Sequence, residues 1–208
     1  MDRTHRIIRI GVGAGLVVAV AGAVALLTFG LSLASGETLQ ALNDAALLVM
    51  VGALAPLMLS FYELGGRTPL WPARLAQALG WISVIGFCAV QLAQMTGLIA
   101  IDWSSPATGV FAAASLGLGY IGLWIAGANL LAGPWLTGVR WLGLVAGLGM
   151  SLYAAGLLLG GVDSAVTGLG AIGFLLLLPL WALLMSRLLA GLGSRGAAPT
   201  EPTVGEPG

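Results

Sequence analysis

Six predominantly apolar stretches, residues 10–33, 39–62, 75–99, 110–132, 141–160 and 166–189, alternate along this chain with short breaks that are polar or contain Gly and Pro. Each is close to the roughly 20 residues that a helix needs to cross the hydrocarbon core of a bilayer. Inside lipid, every backbone N–H and C=O must find its partner within the segment, which leaves helices as the economical solution. The pattern therefore predicts an all-α, polytopic transmembrane helix bundle of six helices over residues 1–191, with a tail at residues 192–208. From Ser194 the tail reads SRGAAPTEPTVGEPG, rich in Pro, Gly and Glu and without a periodic apolar face, so disorder is expected there. Local signals mark the boundaries. Ser105-Pro106 suits the start of the fourth span and Pro72 that of the third. Gly133-Pro134 suits the end of the fourth, and Asp163 is placed to cap the sixth.

Charge then gives the bundle a direction. Arg3, Arg6 and Arg9 precede the first span, Arg67 and Arg74 lie between the second and third, Arg140 between the fourth and fifth, and Arg187 and Arg195 close the sixth. All eight arginines thus fall on one side, while Glu37, Asp102 and Asp163 occupy the opposite loops. Counting Asp2, Glu63, Glu201 and Glu206 with the arginines gives 8 − 4 = +4, and the other four acids, Asp44 included, give −4. Arginine in short loops marks the cytoplasmic face, so both termini are expected in the cytoplasm. Trp71, Trp135 and Trp141 fit an aromatic belt on that face, and Trp103 on the other. Ser32-Leu33-Ala34 could also end a secretory signal, but the preceding 24-residue run exceeds the usual apolar core of about 7 to 15, which favours an uncleaved first helix. A lysine-free chain rich in Gly, Ala and Leu fits a GC-rich bacterial genome and, with it, the bacterial plasma membrane.

Composition removes whole classes of chemistry. Hydrophobic side chains make up 59% of the chain, charged ones 8%, and mean hydropathy is +1.02, against roughly a quarter charged in a soluble domain. Without lysine there is no Schiff base. One histidine, His5, excludes a bis-histidine haem, and a single cysteine, Cys88, excludes an internal disulfide or a CxxC pair. No cofactor and no enzymatic activity are expected. With zero net charge there is no basic surplus to hold a nucleic acid. Gly117-Leu-Gly119-Tyr-Ile-Gly122 matches GxGxxG, but that fingerprint needs a βαβ unit, so no nucleotide is expected either.

Small residues draw the packing faces. On the fourth span Ser115, Gly119, Gly122, Ala126 and Asn129 recur every three or four residues, one line on a helix, and such seams let backbones approach closely in lipid. The first span repeats this with Gly11, Gly15, Gly22 and Ala25. The fifth has two such faces, Gly143, Gly147 and Ala154 on one side and Gly149, Gly156 and Gly160 on the other, which predicts a neighbour on each. The bulky run Phe174–Pro179 predicts a sixth span facing lipid for much of its length. Besides the lipid bilayer, the seams offer a route to a homo-oligomer or a membrane-protein partner.

Four polar residues stand out at one depth. Asn43 and Asp44 lie one to two turns inside the arginine-free end of the second span, and Gln91 and Gln94 lie at that level on the third. Intramembrane polar groups are costly and need partners, so these form a speculative polar cluster between the two helices. With one intramembrane charge and no catalytic constellation, the sequence favours a non-enzymatic structural or accessory membrane component. The alternative is a small transporter or permease using the cluster between the second and third spans. Pro179-Leu-Trp181 followed by Arg187-Leu-Leu resembles the last helix of small six-helix bacterial integral membrane-protein families of uncharacterised function. That resemblance implies the six-helix membrane fold and no particular activity.

Overall fold

The computed structural model describes residues 3–35, 37–65, 71–99, 109–131 and 136–195; at 32–35, 37–38, 40, 64–65, 71–73 and 193–195 it describes the backbone alone. The helices are α1 (Arg3–Ser35), α2 (Glu37–Gly65), α3 (Trp71–Met95), α4 (Gly109–Leu131) and α5 (Arg140–Gly160). The sixth span is α6 (Ala165–Ala171), a π-helical turn (Ile172–Leu177) and α7 (Leu178–Arg195). All six spans are long and apolar enough to cross a membrane, and no strand occurs among the described residues.

Each span packs against its neighbours in sequence, and α7 closes on α1, so the six form a ring. Small residues set the approach distances. A Cβ on Gly122 of α4 would lie 2.5 Å from the Gly147 carbonyl oxygen of α5, and one on Gly119 would lie 3.3 Å from the Ala154 Cβ. On the other face of α5, Gly149 meets Gly173 of the π turn at 2.5 Å, and Gly156 meets Thr167. Helix α5 thus sits between α4 and the sixth span through its two glycine faces. On α1, Gly11 meets Ser60 and Leu189, Gly15 meets Ala182, and Gly22 meets Pro179. These close approaches are all made within the chain.

The described arginines gather at one end, where Arg3 pairs with Glu63 at 3.1 Å and the Ser60 hydroxyl lies 3.0 Å from the carbonyl oxygens of both Ile7 and Pro56. Arg140 donates to the Leu130 carbonyl at 2.6 Å, serving an orphan acceptor in the last turn of α4. At this end the ring is filled by side chains. Trp181 is fully buried, stacks obliquely on Phe61 with centroids 6.5 Å apart, and donates its indole N–H to Asn129 Oδ1 at 3.1 Å.

Several expectations change. The run Phe174–Pro179 is not the lipid-facing surface expected of it: Phe174, Leu175, Leu178 and Pro179 are buried, as are Trp181, Ala182, Met185 and Leu189 further on, because closing the ring on α1 covers one side of the span. Along the other side an exposed stripe runs through Val166, Leu169, Ile172, Leu176 and Leu180. Its cap is Ser164, whose hydroxyl accepts from the Thr167 N–H at 3.1 Å, while Asp163 is exposed. Helices α1 and α2 run so far that residue 36 alone separates them. Helix α3 ends at Met95 rather than 99, because Gly97 takes a φ of +73° and Leu98 N–H bonds back to the Ala93 carbonyl at 2.9 Å, a glycine-terminated helix end. Helix α7 continues to Arg195, into the segment expected to be tail. Ser105-Pro106, Gly133-Pro134, Trp103, Trp135, Arg67, Asp102 and the tail beyond residue 195 lie outside the described residues.

Candidate functional site

At the arginine-free end the ring forms a half-open cavity of about 240 Å³ to which every span contributes. Helical spacing explains the lining. On α2, Asn43, Asp44 and Leu47 share one face; on α3, Phe87 and Gln91 are four apart; on α5, Tyr153 and Leu157 are four apart. Helix α4 adds Ala114, Leu118 and Ser115, the last of these the first residue of its small-residue seam. Phe29 of α1 and Phe174 and Leu175 of the π turn complete the wall, with Val162 from the turn before α6.

Three of the four residues of the expected polar cluster meet here. Asp44 and Gln91 line the cavity side by side from α2 and α3, and Gln91 is almost fully buried. Asn43 Oδ1 lies 3.1 Å from the Thr28 hydroxyl, which is also 2.8 Å from the Val24 carbonyl oxygen. A single hydroxyl proton serves one of these acceptors at a time. Gln94 is not part of the lining: three residues on from Gln91 it is rotated by about 60° around α3. Its Oε1 is buried without a hydrogen-bond partner among the described residues.

The aromatic component was not foreseen. Phe29, Phe87, Tyr153 and Phe174 come from four different spans, and the last two rings sit 5.3 Å apart at 37°. Phe174 is delivered by the π turn, where Leu178 N–H bonds five residues back to the Gly173 carbonyl. Pro179 follows immediately and has no N–H to offer its own α-type acceptor, so a widened turn before it redistributes the freed carbonyls. π turns of this kind often occur at functional sites. Pro179 was a visible signal of local distortion, whereas the distribution of aromatics emerges only once all six spans are placed at common depth.

The remaining seam residues serve other contacts. Ser151 of α5 donates to the Gly119 carbonyl at 2.9 Å, Gly122 and Ala126 face Gly147, and Asn129 belongs to the Trp181 plug at the opposite end. Cys88 is a free thiol on α3 whose Sγ lies 3.9 Å from the Leu48 carbonyl oxygen. Chemically, the described lining offers one carboxylate, two amides and two hydroxyls amid apolar and aromatic walls. That set can bind and orient a guest; it presents no nucleophile–base pair.

No protein-family model, no curated protein and no solved structure matches the chain. Its six helices are each long and apolar enough to cross a membrane, the architecture of a multi-pass membrane protein.

Proposed function

We propose that this protein is a non-enzymatic, permease-like membrane component that takes a small solute into the arginine-free half of its helix ring. The arginine-bearing end, with both termini, lies in the cytoplasm of a bacterial plasma membrane, and the cavity lies in the outer half. One observation carries this reading over that of a purely structural component: all six spans line a single cavity in which buried polar groups meet aromatic walls. Interhelical glue between α2 and α3 needs only their two surfaces in contact. A cavity of about 240 Å³ sits just below the roughly 300–1,000 Å³ of sites for drug-sized ligands, so the guest is compact.

The test is thermal unfolding of the purified full-length protein against a panel of small cationic, neutral and anionic amphipathic solutes. A bound solute raises the midpoint by mass action on the folded state. At least one class should do so in the wild type and fail in Ala114→Trp, which fills the cavity. A panel without any such effect on the wild type would overturn the reading.

A further inference from the structure

Asp44 is in an unusual position for a carboxylate. The polar side chains that line the cavity beside it, Asn43 and Gln91 among them, are neutral, and no basic side chain lines it among the described residues. Helix α2 carries it about 28 Å, nineteen residues at 1.5 Å each, from Glu63 at the arginine end. An ionised carboxylate at membrane depth is expensive unless a counter-charge or water meets it.

The walls point to the counter-charge. Rings attract cations to their faces, and Phe29, Phe87, Tyr153 and Phe174 surround the space that Asp44 borders. An inorganic cation such as Ca²⁺ needs six or more oxygens, and Mg²⁺ gives up its water reluctantly; this lining is mostly apolar. An anion would meet a carboxylate and no basic group. From these features, and resting on the solute-binding reading above, we infer that the guest is a compact organic cation, its charge held beside Asp44 and its apolar part packed among the four aromatic rings.

The experiment is equilibrium binding of benzyltrimethylammonium, and of its neutral isostere with carbon in place of nitrogen, to the full-length protein in lipid nanodiscs. The cation should bind on the order of tenfold or more tightly than the isostere, because both the carboxylate and the rings favour charge. Asp44→Asn should remove that preference while leaving helix content and melting midpoint near wild type, since the substitution removes only the charge. Phe87→Leu should weaken the cation several-fold and the isostere less. If Asp44→Asn does not fold, the comparison of the two probes on the wild type decides alone. Equal binding of cation and isostere overturns the cation inference and leaves the solute-binding reading standing. Failure of both probes, together with a solute panel that leaves the melting midpoint unmoved, overturns both.

Discussion

Gly122 and Gly147 are reciprocal contacts: a Cβ on either would lie 2.5 Å from the carbonyl oxygen of the other. Helices α4 and α5 therefore cross backbone to backbone at this pair, and any side chain here must push them apart. Gly122→Leu should lower stability in detergent by about 3 kcal/mol or more, at or beyond the usual cost of overpacking. Leu123→Ala, one position on and exposed to lipid, should lie within about 0.5 kcal/mol of wild type. Melting curves of the two variants make the comparison, and equal midpoints would mean that α4 does not pack on α5 through this face.

The Trp181–Asn129 hydrogen bond closes the arginine end of the ring between two fully buried residues. Trp181→Phe keeps most of the ring volume but leaves Asn129 Oδ1 without its indole donor, and should cost about 1–3 kcal/mol. Asn129→Leu in the same background should recover part of that loss, because no buried acceptor then lacks a partner. A double-mutant cycle on unfolding midpoints measures this; strictly additive effects would contradict the contact.

Helix α3 is the least enclosed span. Toward the arginine end it is fastened to α4, where Tyr120 donates to the Ala76 carbonyl at 3.2 Å and Gly80 lies against Trp124. Its contact with α2 is looser: a Cβ on Gly52 would lie 3.7 Å from Cys88 Sγ. That spacing is within small adjustment of a disulfide. Gly52→Cys should therefore form an intrachain bond with the native Cys88 under mild oxidation, read as loss of thiol alkylation that a reductant restores. Continued alkylation of both thiols would place α3 elsewhere.

Topology is testable independently of any ligand. A reporter active only outside the cytoplasm should be silent when fused at residue 208 and active when inserted after Asp163. The reverse pattern would invert the bundle and put the cavity in its cytoplasmic half.

What could be read from the sequence depended on whether a signal was local or collective. The two faces of α5 were legible because Gly143, Gly147 and Ala154, and separately Gly149, Gly156 and Gly160, obey the helical period. The depth match of Asp44 and Gln91 followed from counting residues from each helix end, whereas Gln94 shared that depth but not the azimuth. The burial of most of the run Phe174–Pro179 is not legible in the sequence, because bulky aliphatic side chains suit lipid and protein interior equally well; only ring closure on α1 decides which. The π turn had no signature beyond Pro179. The aromatic lining was illegible for a similar reason, since a Phe in one membrane helix reads as ordinary core until five other helices are set around it.

The central claim, a solute-accessible cavity in the arginine-free half, is tested most directly by thiol labelling in intact cells on a Cys88→Ser background. Ser115→Cys faces the cavity, and Ala126→Cys lies on the same seam about 16 Å further along α4, packed against Gly147. A small water-soluble thiol reagent added outside should label Ser115→Cys and leave Ala126→Cys unreacted, and benzyltrimethylammonium should slow the first reaction. A Ser115→Cys protein as inert as Ala126→Cys, in cells where both are folded and inserted, would contradict the account.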